Sequence, residues 1–171
     1  YLINNDQQEA VIDAITSHTW VGDAATALDQ LLDTFVQASS DFPPSQLAMH
    51  DQIIGETVTT ALASDNPVGI FLEQCEKLGG DKWLERAAAT FKSGTPTTAA
   101  IIYEQIQRAK SMTREQIFAM ELTLAIQCSR HADFREGIRA LLIEKDNAPN
   151  WQYKMGAVPN EWVAAHFAEP W

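Results

Sequence analysis

The stretch from Thr113 to Asp146 restricts the fold more than any other. T-R-E-Q at 113–116 has the form of a capping box, in which the threonine hydroxyl and the glutamine side chain each take up a backbone N–H that the first helical turn leaves over. Ile117, Met120, Leu124 and Cys128 then recur on one side of a long helix, and Phe118, Leu122 and Ala125 widen that side. The spacing predicts a helix covered on more than one face, so a chain organised around it needs further helices as cover. Glu121 lies within this apolar surface, and a carboxylate there must be paired or reach an edge, because burying it alone costs several kcal/mol.

A second helix pattern begins one short turn later. Asp133 reads as its N-cap, and Glu136, three residues on, can reach back to the cap amide, so that both carboxylates meet the positive end of the helix dipole. Gly137 inside a helix costs about 1 kcal/mol relative to alanine, which predicts that another backbone or a bulky side chain passes close to it. Ile138, Leu141, Leu142 and Lys145 follow, and the helix should stop near Asp146 because Asn147, Ala148 and Pro149 form a terminating loop. Beyond it lie Trp151, Tyr153 and Lys154 in an aromatic extension, then a short last helix from about Pro159 with Trp162, Ala165 and His166.

The rest of the chain is punctuated the same way. Asp6 to Glu9 has a capping-box form ahead of Ala10, Val11, Ala14 and Ile15, and from Asp23 the positions Leu28, Leu31, Leu32, Phe35 and Val36 predict a second helix ended by S-S-D-F-P-P at 39–44. Ser45 can cap a third, with Leu47, His50, Ile54 and Val58 on one face, although residues 53–62 are rich in β-branched side chains. Asn66-Pro67 opens a fourth with Val68, Phe71, Leu72 and Cys75, stopped by Gly79 and Gly80. Asp81 caps a fifth, burying Leu84, Ala87, Ala88 and Phe91 until Ser93-Gly94, and Thr95-Pro96 opens a sixth, burying Ala99, Ile102, Ile106 and Ala109. No alternating hairpin pattern with Asn-Gly or Asp-Gly is present, nor an internal repeat or low-complexity linker. The expected fold is all-α, about eight or nine helices in a single unit spanning 1–171.

Composition narrows the function classes. At 171 residues and 46% hydrophobic the chain can bury a sizeable core, and no apolar run approaches the roughly 18 residues of a membrane span. Residues 1–76 hold twelve Asp or Glu and no Lys or Arg, while residues 77–171 hold all twelve Lys and Arg against eleven acids, so the net charge of −11 divides as −12 and +1. Nucleic-acid binding, which rests on clustered cations, is disfavoured, and the acidic half reads as a well-solvated face. Any anionic ligand should approach the second half. Cys75 and Cys128 sit in apolar helical patterns without CxxC spacing, which predicts buried thiols in a reducing, cytoplasmic compartment. A start at Tyr1 close to a helix pattern predicts a piece of a longer product.

No catalytic constellation is legible. His18, His50, His131 and His166 are scattered without H-E-x-x-H or another ligand spacing, so no metal is expected, and G-x-S-x-G is absent. His131-Ala132-Asp133 could imitate a histidine–carboxylate pair, but the cap explains Asp133 better. Trp83, Trp151, Trp162 and Trp171 read as packing.

H-A-D-F-R-E-G-I-R-A-L-L-I-E-K-D-N-A-P-N-W at 131–151 resembles the C-terminal signature of the 3-hydroxyisobutyryl-CoA hydrolases, a branch of the crotonase (enoyl-CoA hydratase/isomerase) superfamily. That signature runs approximately D-F-x-E-G-V-R-A-x-L-I-D-K-D-x-x-P-x-W, and it is met at Asp133, Phe134, Glu136, Gly137, Arg139, Ala140, Leu142, Ile143, Lys145, Asp146, Pro149 and Trp151. Pro96 and Thr97 are similar to the branch's S-P-T-S-L-K helix start, with Ala100 in place of its lysine, and Met120-Glu121 to its M-E pair. The resemblance is specific over 95–151, looser elsewhere, with Leu47 and His50 included, and weak before about 45.

This resemblance implies the helical C-terminal region of a larger acyl-CoA thioester hydrolase of valine catabolism, packed on a crotonase core that supplies the oxyanion hole and the acids. It implies help in closing the acyl-CoA site and contacts in a homo-oligomer, with coenzyme A as part of the substrate and no covalently bound cofactor. It carries no catalytic residue onto this chain. In related enoyl-CoA hydratases the lysine ending E-G-x-x-A-F-x-E-K can approach the CoA nucleotide, and Lys145 stands at the corresponding place. Here one extra residue separates Gly137 from the lysine, a displacement of roughly 100° around a 3.6-residue turn, and Leu141 replaces the phenylalanine. Lys145 is thus either a CoA contact or a solvated lysine favoured by the helix dipole. Arg139 is either a phosphate contact or the partner of an acid such as Glu121 or Asp133. A hydratase or isomerase C-terminal region, or a free-standing helical interaction module, are the alternatives.

Overall fold

The computed structural model describes residues 1–36 and 43–171; the regular structure among them is all helical, with no strand. The all-α expectation holds. Two compact units, residues 1–49 and 50–171, are described separately.

In the first unit, α1 spans Gln8–Ser17, α2 Ala24–Asp33 and α3 Gln46–Met49. The Asp6 capping box does not form: Asp6 lies in a 3-10 turn, Asn5–Gln7, and the N-cap of α1 is Gln7, without a side-chain bond. Asp23 does cap α2, accepting the Thr26 N–H at 3.1 Å. That helix ends at Asp33, so Phe35 and Val36 lie beyond it. The first four residues of the 39–44 terminator lie outside the described residues.

The second unit contains α4 (Asp51–Leu62), α5 (Pro67–Cys75), α6 (Lys82–Ser93), α7 (Pro96–Ala109), α8 (Arg114–Arg130), α9 (Ala132–Ile138) and α10 (Asn160–His166). The third helix predicted from Ser45 through Val58 is interrupted at His50, where φ is −114° and ψ 12° and the imidazole stacks on Trp83 at 5.2 Å. Residues 53–62 are helical despite their β-branching. Three further caps match the sequence: Asn66 accepts the Gly69 N–H, Asp81 those of Trp83 and Leu84, and Thr113 with Gln116 completes the capping box of α8, whereas Thr95 heads α7 without a side-chain cap bond.

Helix rotation departs from expectation at α7. Ile101 and Thr97 are buried, while Ile102 and Ile106 stand exposed. The Thr97 hydroxyl bonds to Asp133 across the unit, and this fixes which side of α7 turns inward: positions 97 and 101, four apart, share that side. Ile101 joins Met120 and Leu124 of α8 and Val163 of α10 in the buried core. On α8 the wider apolar surface stays open, with Phe118 and Leu122 exposed, so the expected cover on a second face is not met among the described residues. Glu121 accordingly reaches an edge, where Gln105 Nε2 approaches it at 3.4 Å.

Candidate functional site

The signature residues of 133–151 explain one another in the structure. Asp133 is not the N-cap of α9; that position is His131, two residues earlier. Asp133 is instead buried, at 8% exposure, and accepts two bonds from distant chain: the Thr97 hydroxyl at 2.7 Å and the Gln152 backbone N–H at 2.9 Å. One carboxylate thus ties the start of α7, the start of α9 and the aromatic extension together. Its burial is affordable because both oxygens are met by donors.

Gly137 lies under Trp151, whose Cη2 would sit 3.4 Å from a Cβ added there. The bulky neighbour expected from a helical glycine is this indole. Glu136 does not reach back to a cap amide. It forks onto Arg139, at 2.9 Å to Nε and 2.7 Å to Nη2, and accepts the Asn150 N–H at 2.7 Å.

Arg139 is the centre of a carboxylate cluster. Beyond Glu136 it donates to Glu144 at 2.5 Å, Asp146 at 2.7 Å and the Ala148 carbonyl at 3.2 Å. These five contacts occupy the five N–H donors of a guanidinium. Its partners are therefore neither Glu121 nor Asp133, the two acids weighed from sequence. The salt bridges and hydrogen bonds from Arg139, then the Asn150 N–H, hold the Glu136 carboxyl down at about 2. Asp146 is lowered by Arg139 and by the Ala148 N–H, and the guanidinium is raised in turn by its three acids.

A carboxyl whose pKa is lower folded than unfolded contributes stability that is present above the unfolded value and lost as pH falls through the folded one. For Glu136 this window runs from 4.5 down to about 2. An NMR titration of Arg139→Gln is expected to return Glu136 toward 4.5 and to move the onset of acid unfolding to higher pH. An unchanged Glu136 titration would show that Arg139 does not set it.

The backbone under this cluster is unusual. Residues Arg139–Ile143 form a π-helical turn, closed by the Glu144 N–H reaching back five residues to the Arg139 carbonyl at 2.8 Å. A wide turn of this kind takes up one residue more than an α-turn does. Lys145, exposed, follows directly at φ +56°, and Asn147 at φ +54°, with the Asn147 N–H bonded to the Ala140 carbonyl at 3.1 Å. Left-handed conformations at two non-glycine residues are uncommon, and the Arg139 bonds to Asp146 and Ala148 hold them in place. The structure therefore brings Arg139, Glu136, Glu144 and Asp146 together and leaves Lys145 at the outer end of the same turn.

Sequence reasoning passed over Gly69 and Gly156. Gly156 has φ +76°, and a Cβ there would fall 2.6 Å from the Gly69 Cα. Asn66 clasps the pair, its side chain donating to the Gly156 carbonyl at 2.9 Å and accepting the Gly69 N–H at 3.1 Å. This anchors the aromatic extension against the start of α5. Two glycines 87 positions apart give no local signal, since only their meeting makes each necessary.

Cys75 and Cys128 are free thiols, each pushed up in pKa by burial. Among the described residues no helix is long and apolar enough to cross a membrane, and no cluster of three metal-ligating side chains occurs.

The enoyl-CoA hydratase/isomerase family model matches residues 1–167. The mitochondrial 3-hydroxyisobutyryl-CoA hydrolase of Danio rerio is 29% identical over 123 residues, covering 72% of this chain and 31% of that protein. The Homo sapiens protein of the same name is 35% identical over 89 residues, 52% of this chain and 23% of that protein. The chain thus spans less than a third of the length of these relatives. The crystal structure of an enoyl-CoA hydratase from Rhodobacter sphaeroides 2.4.1 superposes with a TM-score of 0.61 at 23% identity, over 85% of this chain and 42% of that one, which shows a shared fold.

Proposed function

The chain belongs to the enoyl-CoA hydratase/isomerase family, and from that premise we propose that residues 1–171 are the C-terminal helical region of a larger 3-hydroxyisobutyryl-CoA hydrolase-like protein. In this reading the rest of that protein is a crotonase core, which holds the catalytic acids and the oxyanion hole. The helical region packs on the core, helps to close the acyl-CoA site and takes part in contacts between subunits. Coenzyme A enters as part of the substrate. The surface offered to the core includes Phe134, Leu141, Leu142 and Ile143, four large apolar side chains exposed close together in sequence on α9 and the wide turn, as a partner-binding surface would have them. The free thiols of Cys75, which is buried, and Cys128, which is partly buried, suit a reducing compartment such as the cytoplasm, while the named relatives are mitochondrial.

The observation that supports a hydrolase over a hydratase is the wide turn at Arg139–Ile143. The hydrolase signature has one residue more than the hydratase pattern between the glycine and the lysine, and the π-turn takes up that residue, which undoes the roughly 100° displacement expected of a regular helix. Lys145 then keeps the place from which a hydratase lysine approaches the CoA nucleotide, and we assign it that contact. Arg139, with its donors engaged inside the chain, serves the same contact as a positioning residue that shapes the turn.

Thiol release from 3-hydroxyisobutyryl-CoA is expected from the longer protein and not from the 171-residue chain alone. Turnover by the chain alone would overturn the assignment, and hydration of an enoyl-CoA without hydrolysis would give the hydratase reading instead. Lys145→Ala in the longer protein is expected to raise KM for the CoA ester about tenfold with little change in kcat, as loss of one phosphate contact would. An unchanged KM removes Lys145 from the site.

A further inference from the structure

α10 is short, Asn160–His166, and it is fastened to the 50–171 unit in two ways. Val163 joins Ile101, Met120 and Leu124 in the buried core. Beside it runs a chain of rings: Tyr153 meets Trp162 at 5.6 Å between centroids, Trp162 meets His131 at 4.6 Å, and His131 meets His166 at 4.1 Å. His131 stands at the junction where α8 ends and α9 begins. His166 is the largest fully buried side chain among the described residues, at 1% exposure. Its Nδ1 lies 2.8 Å from the Trp162 carbonyl oxygen, which only accepts, so Nδ1 carries the one proton of a neutral ring. Two imidazoles can share an added proton through an N–H···N bond lying in both ring planes. At about 2.9 Å between nitrogens, such a bond holds the centroids about 5 Å apart. Here they stand at 4.1 Å with the planes 37° from parallel, so the rings lie partly face to face and a charge on one is not relieved by the other.

The ionisable groups on the surrounding elements do little to offset such a charge. Asp133, two residues from His131, has both oxygens already met, by the Thr97 hydroxyl and the Gln152 N–H. From α8 come Cys128, a thiol pushed up in pKa by burial, and Arg130, a cation reaching the Pro170 carbonyl at 3.5 Å. From α7 come Glu104 and Arg108, paired with each other at 2.8 Å, the guanidinium lying over the Phe167 ring just beyond α10. The extension brings the Tyr153 phenol, and Glu161 and Glu169, on α10 and the tail after it, are exposed. Burial first, and then His166, push the His131 pKa down, with Asp133 pulling the other way. A histidine held below its ordinary value in the folded chain contributes stability that is whole above 6.5 and is lost as pH falls through that value toward the folded one.

We propose that the His131–His166 contact makes the docking of α10 acid-sensitive: the two rings close on each other when both are neutral, and a proton on either loosens residues 160–166 and uncovers the Val163 side of the core. This device lies in the packing of α10 and stands independently of the acyl-CoA reading above. The test follows amide hydrogen exchange of the 171-residue chain by NMR from about pH 7.5 to about pH 5.5, each rate divided by the intrinsic rate at that pH. The amides of residues 163–166 are expected to lose protection about fivefold on acidification, while those of residues 71–75 in α5 keep theirs. His131→Asn, which leaves a good capping residue at the head of α9, should reduce that loss to about twofold. If this variant fails to fold, the His131 ring of the parent chain decides: its Cε1–H should titrate below 6.5, with the midpoint at which α10 loosens. Equal protection across the range, an undiminished loss in His131→Asn, or titration of His131 at or above 6.5 would overturn the proposal.

Discussion

Asp133→Ala is expected to destabilise the 50–171 unit by about 3 kcal/mol, because it strands two donors at once: the Thr97 hydroxyl in a buried position and the Gln152 N–H at the head of the aromatic extension. A solvated cap, the role read from sequence, would cost only about 1 kcal/mol. The two roles are therefore separable by urea unfolding. The double variant Thr97→Val/Asp133→Ala should cost less than the sum of the single ones by about 1 kcal/mol, since removing the donor relieves part of the penalty. Strict additivity would mean that the bond between them contributes nothing.

Gly156→Ala is expected to cost a similar amount, about 3 kcal/mol, for two separate reasons. The left-handed φ of +76° penalises any Cβ by about 1–2 kcal/mol, and the new methyl would lie 2.6 Å from the Gly69 Cα, where only backbone movement can make room. Gly80→Ala is the control. Its φ of +85° is as strained, but nothing lies within 4 Å of the added atom, so only the first penalty applies. If the two substitutions cost the same, the close approach of the backbones has no energetic weight. If Gly156→Ala is the worse, the Gly69 N–H that donates to Asn66 and the Asn66 amide N–H that donates to the Gly156 carbonyl should also exchange faster with solvent.

Most helix starts were readable from local signals, although the Asp6 capping box does not form and Thr95 makes no side-chain cap bond. Asp23, Asn66, Asp81 and the Thr113–Gln116 box cap as their spacing predicts, because a cap involves only residues within one turn. The Asp133–Glu136 pair failed by the same logic that made it attractive. It has the form of a capping box, but Thr97 and Gln152 offer Asp133 donors, Arg139 and Asn150 offer them to Glu136, and of these only Arg139, three residues from Glu136, lies within one turn of its partner. The exposed Ile102 and Ile106 are a related case: periodicity locates an apolar face but cannot say which side of it a distant hydrogen bond will turn inward.

The candidate site was half legible. The signature directed attention to Arg139 and Lys145 and showed the extra residue before the lysine, yet a count of residues cannot say whether an insertion rotates a helix or widens one turn of it. That choice depends on whether the wide turn has enough partners to hold it, and the carboxylates of Glu136, Glu144 and Asp146 around one guanidinium provide them.

By itself the sequence determined that the protein is helical, where most of its helices begin, that Gly137 has a bulky neighbour, and which family it belongs with. These follow from interactions spanning one or two turns, or from the order of residues along a motif. Only the tertiary structure decided that the motif is a set of mutual supports, with Asp133 tying three segments, Trp151 lying on Gly137 and Arg139 fastening a π-turn beneath Lys145. A buried carboxylate, a close backbone approach and a widened turn are each unfavourable alone. The first two persist because residues far apart in the chain compensate them, and the turn because Glu136, Glu144 and Asp146 close on Arg139; that compensation exists only once the chain has folded.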